Sequence, residues 1–294
     1  MRIGVSITYI TPFVEPRDAV VISQAAEKLG FATIWRGEHV LTFPKYTSKY
    51  PYTLDSHEEG KKAWLTRPDI GIPETFLILM FIAAHTSRIR LGTGICIVPQ
   101  RNPVYTASMS ATLDMYSNGR LIFGAGLGWS SEEYQALGVP WKERGKRMDE
   151  YLELIKMLWT QSDVEFHGIT YELPHCMQYP KPIQKPHPPI YIGGEGDAAL
   201  TRVVRHANGW YGMGLDPDQV RERRKRLVEL CAQHGRDPST IQVAIAPYFR
   251  SVTKDEARRY ADAGVDELII MMSAPTVQEH IDLFEAHAAL TELA

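Results

Sequence analysis

RIRLGTGICIVPQRNPVYTASMSATLDMYSNGRLIFGAGLGWSSEEYQALGVPWKERGKRMDEY, residues 88–151, holds two short apolar strands, each of which stops on glycines before a helix-forming stretch. The glycines are Gly92 and Gly94 in the first strand and Gly124, Gly126 and Gly128 in the second. A strand that ends on glycine ahead of a helix leaves bare backbone where a flat ring or a phosphate can approach closely. Two such turns in tandem on buried strands predict a cofactor cradle. GAGLG is not a dinucleotide fingerprint, because the final glycine of GxGxxG would fall on Trp129.

Outward from this stretch, short β-branched apolar runs alternate with helix-period runs. Strands are expected at 3–7, 32–36, 89–95, 121–125, 189–192, 209–212, 241–246 and 266–272. Helices are expected at 16–29, 73–85, 103–116, 142–158, 197–206, 217–234, 253–263 and 276–288. Pro16, Pro73, Pro103 and Pro217 stand where a first-turn proline is tolerated, and Gly30 follows the first helix as a terminator. Strict alternation of this kind predicts an α/β fold, a (β/α)8 TIM barrel occupying residues 1–294 as a single domain. Two insertions interrupt it. Residues 37–72, with Tyr46, Tyr50, Tyr52 and Trp64, come after the second strand. Residues 161–188, with the alternating VEFHGITYEL and the proline-rich YPKPIQKPHPP, come before the fifth strand and read as a hairpin plus an extended arm. Each is expected to act as a lid over the catalytic face.

A chain of 294 residues with 44% hydrophobic content and net charge −3 buries a sizeable core and carries no electrostatic footprint for nucleic acid. The basic run 221–226 reads as a solvated helix face, with anion binding as its sharper alternative. Residues 143–150, with Arg144, Arg147 and several acids, read as a helix face laced with ion pairs. Cys96, Cys176 and Cys231 are widely spaced and form no CxxC pair, which fits a reducing cytoplasm. Met1 leads at once into a strand, so no signal peptide is expected, and the longest apolar run is about half a membrane span. No HExxH or paired Cys/His spacing marks a metal site.

Barrel active sites are assembled at the carboxyl ends of the strands. The residues there are Thr8 and Tyr9, Glu38 and His39, Gly94 and Ile95, Gly126 to Trp129, Gly193 to Glu195, and Met213 with Gly214. This set lacks nucleophile machinery and is rich in glycine and apolar groups, as suits a site where a bound cofactor does the chemistry. His39 is the candidate proton donor or acceptor, and Glu38 either orients it or faces solvent. Gly193 and Gly194 precede a helix opened by Asp197, which serves either as a phosphate loop or as a plain turn with Asp197 as its N-cap. The aromatic residues of the first insertion, Trp64 included, and Tyr9 are candidate substrate-wall residues.

Taken in order, RIGVSI, AAEKLGFATIW with GEHV, RIRLGTGICIVPQRNPV, ATLDMYSNGRLIFGAGLGW, EEYQALGVPWKERGKRMDEYLELIKMLW and PKPIQKPHPPIYIGG with HANGWYG resemble the luciferase-like monooxygenase superfamily. The resemblance is closest to its F420-dependent oxidoreductase branch and runs to about residue 212; the last third matches only in its βα rhythm. It implies a barrel, mostly homodimeric, that binds F420 or FMN at the carboxyl face. It further implies a non-proline cis peptide at Gly94–Ile95 backing the cofactor ring. Gly126, Leu127 and Gly128 would then lie at the ring edge, with Gly193, Gly194 and Glu195 near the phosphate. His39 falls on the imidazole that relatives use near the substrate. The branch usually has Asp where this chain has Glu38, and often Ser where it has Gly196. The expected activity is therefore hydride transfer between F420 and a small organic substrate. The alternatives are an FMN-dependent monooxygenase that uses O2 and a partner reductase, and a non-catalytic flavin-binding barrel.

Overall fold

The computed structural model describes residues 1–7, 15–52, 71–248, 250 and 252–293. Strands β1 (Arg2–Ile7), β2 (Thr33–Arg36), β3 (Arg90–Thr93), β4 (Cys96–Ile97) and β5 (Leu121–Gly126) build the first half of one parallel sheet. Between them lie helices α1 (Pro16–Lys28), α2 (Thr75–His85) and α3 (Pro103–Tyr116), and β5 is followed by α4 (Ser131–Ala136) and α5 (Arg144–Thr160). A separate antiparallel hairpin, β6 (Val164–His167) with β7 (Glu172–Cys176), precedes the second half of the barrel. That half runs β8 (Ile190–Gly193), α6 (Asp197–His206), β9 (Gly209–Met213), α7 (Pro217–Gln233), β10 (Gln242–Ala246), α8 (Lys254–Asp262), β11 (Glu267–Met272) and α9 (Val277–Ala288).

Each strand neighbours the next, β1 pairs with β11, and β3 pairs with β5, so the sheet closes. The result is an eight-strand parallel barrel, with β3 and β4 as two pieces of one barrel strand. The expected continuous strand 89–95 is thus split. The Gly94–Ile95 peptide at the split is cis. β3 and β4 both pair with β5, on either side of a Thr93 hydroxyl that donates to the Gly124 carbonyl at 2.6 Å.

The period-2 alternation of a strand sorts the core into two layers. Ile34, Phe123, Ile190, Ile192, Val243, Ile245, Leu268 and Ile270 point outward and pack under the helices. Trp35, Ile122, Tyr191, Tyr211, Ala244 and Ile269 point inward and fill the barrel. Trp35, completely buried, lies 5.7 Å from the ring of Tyr191 and 5.1 Å from that of Tyr211. Its indole N–H donates to the buried Glu267 carboxylate at 2.7 Å. Room for that ring comes from glycine. A Cβ on Gly92 would stand 2.3 Å from Trp35 Cε3, and one on Gly124 would stand 1.9 Å from the Thr93 carbonyl oxygen and 3.3 Å from Trp35 Cζ3.

The basic run on α7 is a solvated face: Arg221 pairs with Asp218, Arg223 with Glu222, and Arg226 with Asp197 and Glu229. The expected ion-pair face of α5 is only partly formed. Arg147 pairs with Glu143, but Arg144 stacks on Trp141 at 3.7 Å and Asp149 takes Arg202 instead. Among the described residues no helix is long and apolar enough to cross a membrane.

Candidate active site

The carboxyl ends of the barrel strands surround a cavity of about 620 Å³. Its floor is the inner aromatic layer, where the Tyr211 hydroxyl, 2% exposed as a residue, has no hydrogen-bond partner among the described residues. Directly above, the side chain of Ile95 nests on two glycines: a Cβ on Gly126 would lie 1.9 Å from Ile95 Cδ1, and one on Gly193 would lie 3.0 Å from Ile95 Cγ2. A flat apolar shelf results, bounded by Gly94 and Ile95 on one side and Gly126, Leu127 and Gly128 on another.

The opposite rim is the first turn of α6. Its N-cap is Gly196, which offers no side-chain acceptor, and a Cβ there would meet nothing within 4 Å. The leading amides of this ten-residue helix have no side-chain cap, and such a helix start favours an anion. Asp197 is the first helical residue and not the N-cap that the sequence allowed; its carboxylate is taken by Arg226 at 2.8 Å. The Glu195 carboxylate accepts the Met213 N–H at 2.8 Å and the Tyr52 hydroxyl. Burial pushes that carboxyl above the ordinary carboxylate range, outweighing these two hydrogen bonds.

The wall comes from the first insertion. Tyr46 and Tyr50 set their rings 4.9 and 5.1 Å from Trp129, and the Tyr248 hydroxyl donates to that of Tyr50 at 3.1 Å. The first turn of α4 ties this segment down. Its Glu132 accepts the backbone N–H of Thr47 and Ser48 at 2.6 and 3.0 Å.

The next residue, Glu133, is fully buried and holds His39. Glu133 Oε1 accepts the Val40 and Leu41 N–H groups at 2.6 and 3.1 Å, and Oε2 lies 3.2 Å from His39 Nδ1. Burial alone would raise the Glu133 carboxyl, but the hydrogen bonds from His39, Leu41 and Val40 outweigh it and keep it below the ordinary carboxylate range. On the other side of the ring, the Trp129 indole N–H donates to His39 Nε2 at 3.3 Å.

An apolar shelf with bare backbone, an uncapped helix start at one end and one carboxylate-held imidazole at the other form a site for a flat, anion-bearing ring and a small second molecule. A family model of luciferase-like monooxygenases matches residues 1–292. The chain belongs to the luciferase-like monooxygenase family. An uncharacterised Mycobacterium tuberculosis member is 33% identical over 257 residues, 87% of this chain and 85% of that one. The FMNH2-dependent dimethylsulfone monooxygenase of Pseudomonas putida is 33% identical over 241 residues, 81% of this chain and 59% of that enzyme. Among solved structures, an F420-dependent secondary alcohol dehydrogenase bound to an F420–acetone adduct superposes with a TM-score of 0.78 over 99% of this chain and 98% of that one, at 18% identity. The luciferase-like family thus brings together F420- and FMN-dependent oxidoreductases and monooxygenases.

In this luciferase-like barrel the cavity gathers His39, Glu38, Gly94, Ile95, Gly126, Leu127, Gly128, Gly193, Gly194 and Glu195, all singled out from the sequence. Tyr9 and Trp64 lie outside the described residues. Glu38 neither orients His39 nor faces solvent. It is 8% exposed, accepts the Ile97 N–H at 2.7 Å and pairs with Arg101, which also binds Glu74. His39 is held by Glu133, which was missed, and by Trp129, which stands in the strand-end set without a role assigned to it. The signal was present: Ser130 and Glu133 have the S-x-x-E spacing of a capped helix start, and Ser130 Oγ accepts the Glu133 N–H at 3.2 Å.

The second insertion is not a lid, and none of residues 161–188 lines the cavity. It follows helix α5, not a barrel strand, and lies along the flank. Glu150 takes the Ile169 and Thr170 N–H groups, Lys181 Nζ donates to the Leu158 carbonyl, and Asp114 takes the Ile183 and Gln184 N–H groups.

Proposed function

We propose that this luciferase-like protein is an F420-dependent oxidoreductase acting on a small organic substrate that binds between the shelf and the aromatic wall. The observation that carries the reading is the carboxylate-held imidazole at the cavity wall. Interconverting an alcohol-type and a carbonyl-type carbon moves one proton with every hydride, and His39 is a group of the right chemistry for that proton. When bound, the deazaflavin supplies a hydride donor or acceptor. Gly94, Ile95, Gly126, Leu127 and Gly128 would hold its ring, and Gly193, Gly194 and the first amides of α6 its phosphate. Tyr50, Tyr52 and Trp129 exclude water from above, and His39 Nε2 is the atom at which the proton is exchanged.

The 33% identity to an FMNH2-dependent monooxygenase favours a second reading, in which reduced FMN from a partner reductase occupies the same shelf and O2 is consumed. Titrating the purified protein with F420 and with FMN, following tryptophan fluorescence, separates the two. Quenching by F420 supports the first; tight FMN binding with no response to F420 overturns it. The resemblance also makes a cytoplasmic homodimer the expected assembly, and light scattering checks the stoichiometry.

A further inference from the structure

We infer that Glu133 and Trp129 are positioning residues that fix one tautomer of His39, so that the imidazole meets the substrate as a proton acceptor. This role rests on the proposed proton exchange at His39, and Trp129 supplies the first constraint. An indole N–H only donates, so His39 Nε2, 3.3 Å from it, must carry the lone pair. The proton is then on Nδ1, where the Glu133 carboxylate, an acceptor only, lies 3.2 Å away. Both neighbours match the same tautomer from opposite edges of the ring, with the carboxylate as the deciding partner.

Glu133 cannot easily do otherwise. Its second oxygen is held by the Val40 and Leu41 N–H groups at 2.6 and 3.1 Å, which belong to the two residues after His39. The carboxylate therefore fixes the ring and the backbone carrying it together. The indole stands where a substrate donor has to arrive. A hydroxyl or amine hydrogen replaces it at Nε2, whereas a bare carbonyl oxygen finds only a lone pair. On transfer, the substrate's X–H bond breaks, its electron pair stays on X, and an Nε2–H bond forms. The imidazolium so produced already donates Nδ1–H to a buried carboxylate, which balances its charge.

The test exploits the bonds to Val40 and Leu41. In Glu133→Gln those two N–H groups keep the amide oxygen at the Oε1 position, which turns the amide NH2 toward Nδ1. The histidine must then accept at Nδ1 and carry its proton on Nε2, facing the Trp129 N–H donor to donor. Long-range 1H–15N correlation spectra of the histidine rings, recorded on the protein without cofactor, read this directly. The expected result is a protonated Nδ1 in the wild type, an inverted pattern in Glu133→Gln, and an unchanged Nδ1–H form in Trp129→Phe, which keeps the carboxylate. Protonated Nε2 in the wild type, or a Glu133→Gln spectrum identical to it, overturns the inference. The spectra are independent of whether F420 or FMN binds, so the cofactor assignment and the tautomer lock fail separately.

Discussion

Glycines two residues apart on the same strand do opposite jobs in this barrel. Gly92 and Gly124 lie low, where their missing Cβ atoms make room for the Trp35 ring and for the Thr93 carbonyl beside it. Gly94 and Gly126 lie one pleat higher and border the cavity. In sequence the two sets look alike, and both read as part of a cradle. In space the lower set belongs to the buried floor and the upper set to the lining of the cavity. Glycine before a helix therefore marks close approach, but only the depth in the barrel says whether the approaching group is protein or ligand.

The sharpest way to break this comparison is Gly124→Ala. Its new Cβ would stand 1.9 Å from a backbone oxygen that cannot rotate away, so we expect a loss of about 3 kcal/mol or more, read by denaturant melts. Gly92→Ala should cost nearly as much, because its three nearest neighbours would all be atoms of the buried Trp35 ring, the closest at 2.3 Å. Wild-type stability in either single variant would show that the floor is not packed as described. Gly126→Ala meets only the far end of the Ile95 side chain, which can swing. It should fold with near-normal stability but weaken cofactor binding about tenfold, as roughly 1.4 kcal/mol of lost fit would. Fluorescence titration checks this, and unchanged affinity would move Gly126 into the structural set.

The smallest effect is expected at Glu195. A carboxyl raised by burial is favoured in its protonated form by the fold, so its contribution is complete at low pH and is lost as pH rises through the raised value. Glu195→Gln can keep the Met213 contact without the charge. It should gain stability relative to wild type as pH increases past the ordinary carboxylate range, by less than about 1 kcal/mol. Parallel melts across pH measure the difference, and curves that stay parallel at every pH would show that the fold does not favour the protonated Glu195 carboxyl.

Much of the barrel was legible because buried parallel strands and amphipathic helices leave strong local periods. α3 and α6 fall on their expected spans, and the other expected helices shift by two residues or fewer at either end. The split of the third strand was not legible from apolar content, since Ile95, Cys96 and Ile97 continue the run. α4, six residues long, is too short to show a helical period. It carries the glutamate that holds His39 across 94 residues of sequence, a separation at which spacing has no meaning. Glu38 misled for the converse reason: adjacency in sequence at a turn sends neighbouring side chains in different directions, and its own partners, Ile97 and Arg101, come from the following strand segment and the turn beyond it.

The aromatic floor governs traffic as well as packing. Trp35, Tyr191 and Tyr211, at 0, 1 and 2% exposure, seal the barrel from below, so the cavity works as a cup and not as a tunnel. Molecules that share a cup leave in the reverse of the order in which they entered. A cofactor held as proposed against Gly94 and Ile95 would load first, and would leave only after a substrate above it under Tyr50 and Trp129. Under the proposed function, a binding order would follow from the three aromatic side chains that close the floor of the cup.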